Sequence, residues 1–283
     1  MKQFLPLLLC LFCAHSLFGQ SLNILSIDAT NYPEVKAKFY AYDSTGKQQY
    51  PGINDFILKE DSIPRVITRV TCPPPAPPTI LSSVLVMDVS ESMKFPDGHP
   101  NIEMAKIAAR IWVQQLPQNK GECAITSFDG LNYLNQDFTT DTARLNAAID
   151  LLVPQGATRY QAAFTDSVAG GLVVSNNGRF KKVIVMITDG ADPTSSNDSI
   201  IARAKRQNCT IYCVTVNMPA PQILKEIVVS TGGTVFENIK TTNEIIAAYR
   251  KIFDIAQGAG PCEITWNSAL QCSTKPIKVN MQL

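Results

Sequence analysis

The sequence predicts an α/β protein: a doubly wound, mostly parallel sheet with helices on both faces, preceded by a small β-rich module. Three observations predict it. The stretches Ile80–Met87 and Lys182–Thr188 are nearly continuous apolar runs, the mark of strands buried on both faces of a parallel sheet. Strand-like and helix-like segments then alternate as far as about residue 258, which calls for a sheet wound on both sides. Before the first run, Cys72-Pro-Pro-Pro-Ala-Pro-Pro-Thr79 sets five prolines in six residues, a stiff polyproline II spacer that separates two kinds of sequence.

The elements follow in order. Met1-Lys2 precedes an apolar run from Phe4 to Ala14, too short for the roughly 20 residues of a membrane span but right for the core of an export signal over residues 1–20. Lipidation at Cys13 or Cys10 is the alternative, with bulky Phe12 and Leu9 standing against it. Residues 21–72 read as the β-rich module, because Val35, Ala37, Phe39 and Ala41 alternate with Lys36 and Lys38. A turn at Asp43–Gly46 and short strands at Phe56–Lys59 and Val66–Thr71 complete it. Residues 73–79 are the linker and 80–258 the α/β domain. Its first apolar strand is followed by a helix over Asn101–Leu116, a strand over Glu122–Phe128 and an edge strand over Tyr133–Phe138. Asp141 caps a helix running to Leu152, and another helix spans Tyr160–Ser175. After the second apolar strand come a helix at Ile200–Gln207, a strand at Thr210–Val216, a helix at Pro221–Ser230, a strand at Thr234–Phe236 and a helix at Asn243–Ala256. The tail, 259–283, returns to β-like alternation as an appendage or the start of a further module.

Composition narrows the function classes. The 283 residues are 45% hydrophobic and 17% charged, and 25 Lys+Arg against 24 Asp+Glu leave a net charge of +1. With no basic cluster, nucleic acid and anionic membrane surfaces are not expected partners, and no second apolar stretch is long enough to span a membrane. Of eight cysteines, Cys72, Cys123, Cys209, Cys213, Cys262 and Cys272 lie beyond the signal, in a chain bound for an oxidising compartment. The favoured disulfide is Cys262–Cys272. Cys209 and Cys213 read as buried thiols, unless one of them meets Cys72 or Cys123. No cysteine spacing suits zinc.

The chemistry lies where the two apolar strands end. Asp88-Val-Ser90-Glu-Ser92 follows the first, Asp189-Gly190 the second, and Gly156-Ala-Thr158 sits in a loop between them. Ligands of open α/β sheets bind beyond the carboxyl ends of the strands. Asp88, Ser90, Ser92, Thr158 and Asp189 are all hard oxygen donors, suited to Mg2+ (or Mn2+/Ca2+), and leave a coordination position open. A Ser-His-Asp hydrolase built on His99 lacks the nucleophile elbow and an orienting third group. No phosphate-binding glycine loop is present either.

These motifs resemble the metal-ion-dependent adhesion site of the von Willebrand factor A domain, also seen in integrin I domains, over about residues 80–258. The arrangement is similar to bacterial secreted proteins that place a small β module before such a domain. The resemblance implies a six-stranded sheet in the order 3-2-1-4-5-6 with one short antiparallel edge strand. It implies that Asp88, Ser90, Ser92, Thr158 and Asp189 hold the metal and that a partner protein's Glu or Asp completes its shell. In some members the last helix, here about Asn243–Ala256, shifts to regulate affinity. The expected function is that of a secreted or surface-associated binding protein, not an enzyme. The alternative is an assembly subunit of an envelope complex that uses the domain for docking.

Overall fold

The computed structural model describes residues 21–43, 47–74, 77–96, 100–117, 121–192, 196–269 and 277–283. The export signal with Cys10 and Cys13, His99 and Cys272 lie outside these residues. Two compact units divide the chain, one built from strands of the opening and closing segments and the other from residues 72–262.

The opening segment folds as β1 (Ser21–Asp28), β2 (Glu34–Tyr42), β3 (Gln48–Gln49), β4 (Ile57–Glu60), β5 (Ile63–Pro64) and β6 (Ile67–Thr71). Val35, Ala37, Phe39 and Ala41 of β2 are buried and Lys38 is exposed, as the alternation requires. The α/β unit runs β7 (Leu81–Asp88), α1 (Asn101–Gln115), β8 (Glu122–Phe128), β9 (Asn132–Thr139), α2 (Thr142–Asp150), α3 (Tyr160–Phe164) and α4 (Gly171–Ser175). It continues through β10 (Lys181–Thr188), α5 (Asn197–Arg206), β11 (Cys209–Val216), α6 (Gln222–Ser230), β12 (Val235–Ile239) and α7 (Thr242–Ala256). The tail supplies β13 (Cys262–Asn267) and β14 (Val279–Gln282).

The six strands of the α/β unit lie in the order β9-β8-β7-β10-β11-β12, all parallel except the edge strand β9. This is the 3-2-1-4-5-6 order. Every residue of β7 is buried, because alternate side chains enter separate cores on the two faces. Leu85 and Met87 join Trp112, Tyr249 and Phe253 on one face; Val84 and Val86 join Phe128, Tyr160 and Phe164 on the other. Trp112 of α1 meets the Phe253 ring of α7 edge-on at 4.9 Å, and its indole donates to Ser83 Oγ at 2.9 Å. Asp141 caps α2, accepting from the amides of Ala143 (2.9 Å) and Arg144 (3.2 Å).

Three expectations change. The helix expected over Tyr160–Ser175 is two short helices, α3 and α4. Asn132 takes the place of the missing turns, donating to the carbonyls of Ala162 (3.0 Å) and Asp166 (3.2 Å) and accepting from the Ala169 amide (3.2 Å). Val168 adopts a left-handed φ of 87°, which stops helical propagation. The disulfide joins Cys262 to Cys72, not to Cys272, with the two Cα atoms 4.1 Å apart. Its cause is strand pairing: β13 runs antiparallel to β6 with Glu263 opposite Thr71, which brings the neighbouring cysteines together. Cys123, Cys209 and Cys213 are buried free thiols. The tail's strands, in turn, pair with the opening segment, β13 lying between β2 and β6 and β14 pairing with β4.

Candidate metal centre

β7 and β10 are parallel neighbours in register, with Ile187 opposite Met87, so their carboxyl ends deliver Asp88 and Asp189 to one edge. The strand order reverses between these two strands, which is where an open α/β sheet forms its ligand crevice. Asp88 is fully buried, Ser90 is 2% exposed, Asp189 and Thr158 are half-buried and Ser92 is exposed, so the donors rise from core to solvent.

Hydrogen bonds tie four of the five expected residues together. Asp88 Oδ1 accepts from the Ser90 amide at 2.7 Å, and its Oδ2 accepts from the Thr188 hydroxyl. The hydroxyls of Ser90 and Ser92 stand 3.1 Å apart, and Ser92 Oγ donates to Asp189 Oδ1 at 2.5 Å. Thr158 enters by packing: a Cβ on Gly190 would collide with its Oγ1, so only glycine after Asp189 lets the threonine loop close in. That loop is fixed on both sides. The Glu91 amide donates to the Gly156 carbonyl at 3.0 Å, the Tyr160 amide to Asp192 at 2.8 Å and the Tyr160 hydroxyl to the Gly190 carbonyl at 2.9 Å.

Other residues of this edge escaped the sequence reading. Asn101, the first residue of α1, donates to Asp189 Oδ2 at 2.6 Å and accepts from Asn217 Nδ2 at 2.8 Å. Asp129, 5% exposed after β8, occupies the space beside Gly156, where a Cβ would come within 2.7 Å of its Oδ2. Gly156 also has φ 71°, so two independent constraints select glycine there. A serine, threonine or aspartate ending an apolar run signals the edge; an asparagine 88 residues from its partner carries no such signal.

Burial pushes the Asp88 carboxyl up to about 6; the hydrogen bonds from Ser90 and Thr188 oppose the rise and the neighbouring Asp189 adds to it. Among the described residues, neither Asp88 nor Asp189 has an ion-pair partner. No three His, Cys, Asp or Glu side chains among the described residues converge as a group that could hold a metal ion, so any cation here would lean on hydroxyl oxygens as well. The donor set is two carboxylates and three hydroxyls, which suits a hard cation. In an octahedron with Mg–O bonds of about 2.1 Å, adjacent oxygens stand about 3 Å apart. The Ser90–Ser92 separation of 3.1 Å lies near that edge length, whereas the 2.5 Å Ser92–Asp189 contact is a direct hydrogen bond.

Residues 83–191 match the von Willebrand factor type A domain family. No curated protein matches the chain. Among solved structures, the conserved hypothetical protein BatB from Bacteroides thetaiotaomicron superimposes with a TM-score of 0.50 at 15% identity, covering 63% of this chain and 100% of that one. A von Willebrand factor type A protein from Catenulispora acidiphila gives 0.52 at 16% identity, covering 85% of this chain and 50% of that one. Proximal thread matrix protein 1 from the mussel byssus, described with a zinc-occupied MIDAS motif, gives 0.54 at 15% identity, covering 67% of this chain and 48% of that one. At these identities the likeness is one of fold. Among the described residues no helix is long and apolar enough to cross a membrane. Residues 83–191 are thus similar to the von Willebrand factor type A domain family, and the strand order of the α/β unit agrees with that fold.

Proposed function

We propose that the α/β unit is a non-enzymatic binding module in which Asp88, Ser90, Ser92, Thr158 and Asp189 hold a divalent cation, Mg2+ (or Mn2+/Ca2+), and a partner protein supplies a Glu or Asp to it. The protein would act as a secreted or surface-associated adhesin exported by its N-terminal signal. One observation carries the reading: two carboxylates without ion-pair partners among the described residues, linked through Ser90 and Ser92 by hydrogen bonds, stand at the crevice of the sheet. The bound cation would supply electrophilic attraction for a partner carboxylate. Asp88 and Asp189 would offset its two charges, while the three hydroxyls donate little charge and leave it electron-poor.

The test is capture of surface and medium proteins by the mature chain in Mg2+, in chelator, and as Asp88→Ala in Mg2+. Retention of a partner by the wild type in Mg2+ alone supports the reading. Equal capture in all three arms overturns it in favour of an assembly subunit that docks without the cation.

A further inference from the structure

We propose that Asn101 is a positioning residue that presents Asp189 to the cation, and that Asn217 sets the orientation of Asn101; this rests on the metal-site reading above. Asn101 is 5% exposed and stands at the first turn of α1, yet its side chain does not cap that helix, whose N-cap is Pro100. Its amide is spent on two tertiary bonds instead. Nδ2 donates to Asp189 Oδ2 at 2.6 Å, and Oδ1 accepts from Asn217 Nδ2 at 2.8 Å.

The chemistry allows one orientation. An ionised carboxylate only accepts, so the face of Asn101 toward Asp189 must be its NH2 and its carbonyl must point away. Asn217 meets that carbonyl with a donor, so the flipped amide would place two NH2 groups against each other and a carbonyl against a carboxylate. Asn217 is itself held in place. Its backbone has φ 55°, a left-handed position asparagine tolerates, and its amide donates to the Ile239 carbonyl at 2.9 Å. The adjacent Asn238 amide donates to the Met218 carbonyl at 2.9 Å, closing the turn against the end of β12.

The consequence for Asp189 is directional. Oδ2 accepts from the Asn101 NH2 and Oδ1 from the Ser92 hydroxyl. A hydroxyl can turn its proton away when a cation takes its lone pair, whereas an amide NH2 keeps donating, so Asn101 biases Asp189 to present Oδ1 and fixes the carboxylate plane. Outer residues that orient metal ligands in this way typically alter affinity ~10–100-fold.

The test titrates the full-length mature chain with Mn2+ alone, reading free Mn2+ by electron paramagnetic resonance, alongside thermal unfolding in chelator. Asn101→Ala should weaken Mn2+ binding at least ~10-fold. Asn217→Gly, which keeps the left-handed turn and removes the side chain, should cause a smaller loss. In the Asn101→Ala background Asn217→Gly should cost nothing more, since it acts only through Asn101. Unchanged affinity in Asn101→Ala with a lowered melting temperature would mean a structural asparagine and overturn the proposal. Additive losses in the double variant would remove Asn217 from it. Should Asn101→Ala not fold, the exposed Asn217 still decides the matter, because an Asn217→Gly affinity equal to wild type is incompatible with the relay. Absence of Mn2+ binding in the wild type itself would overturn the metal-site reading, and is distinguishable because every variant is then equally silent.

Discussion

Two buried carboxylates stand at opposite ends of the same pair of strands, and they are treated in opposite ways. Glu122, at the start of β8, is 2% exposed and accepts from Ser82 Oγ (2.7 Å), the Arg179 amide (2.9 Å) and Arg179 Nε (2.8 Å). Burial raises its pKa, but the Arg179 and Ser82 contacts more than reverse this and hold it below the ordinary glutamate value. Asp88, at the end of β7, lies deeper in the protein and has hydroxyl and amide donors but, among the described residues, no cation beside it, so burial prevails and its carboxyl rises to about 6. One end of the sheet neutralises its charge within the chain; the other, among the described residues, does not. On the proposed function, the contrast separates a structural carboxylate from a receptive one.

The comparison can be broken most decisively by removing each group in turn. Asp88→Ala should eliminate Mg2+ binding measured by calorimetry, while Glu122→Ala, at the far end, should leave it intact. Cation affinity that survives Asp88→Ala would erase the distinction. Next come stabilities in chelator, where the two ends should respond with opposite signs. Asp88→Asn at pH 8 relieves an uncompensated charge and should stabilise by about 2–3 kcal/mol, the equivalent of a pKa near 6 against 3.8. Asparagine suits the site because the Thr188 hydroxyl can reverse and accept from its NH2. Glu122→Gln should destabilise by about 2 kcal/mol, through loss of a charge-assisted bond to Arg179. Urea unfolding reads both, and equal signs would refute the contrast.

The pH slopes sharpen it further. In chelator, folded Asp88 binds its proton more tightly than the unfolded chain does, so its contribution favours folding below about pH 4 and is lost as pH rises through about 6. Glu122 has a lowered folded pKa, so its contribution is present above the ordinary glutamate value and is lost as pH falls through the folded one. Asp88→Asn should therefore flatten the fall in stability on the way to neutrality, and saturating Mg2+ should do the same in the wild type. Glu122→Gln should instead flatten the loss on the acid side. The smallest effect is Ser82→Ala, about 1–2 kcal/mol, since Ser82 Oγ both donates to Glu122 and accepts from the Phe180 amide at 2.8 Å.

Much of this architecture is legible in the residues because it is local. An apolar run such as Val84–Met87 reports burial on both faces wherever it sits, and Asp141 caps a helix by reaching two residues along the chain. The edge carrying Asp88, Ser90, Ser92 and Asp189 follows from two such runs each ending in a carboxylate. What escaped is tertiary. Asn132 breaks the Tyr160–Ser175 segment from 30 residues away, and its neighbours look helical on their own. Cys72 finds Cys262 across 190 residues because β13 pairs with β6, an alignment that no spacing rule encodes. Asn101 and Asn217 are 116 residues apart and gain meaning only once β10, β11 and α1 converge.

The Cys72–Cys262 bond also has a mechanical meaning. It joins the residues at which the chain enters and leaves the α/β unit, a sequence separation of 190. Tension along the chain from outside that pair travels through the sulfur–sulfur bond and bypasses the polypeptide between them. A pull applied through the termini therefore cannot unravel the sheet or drag apart β7 and β10, whose adjacent ends hold the crevice. With the bond reduced, the same load would run directly along β7 and α7. The crosslink is a strain-relief clip: force spectroscopy on the oxidised chain should lack the extension of the enclosed loop, and addition of a thiol should restore it.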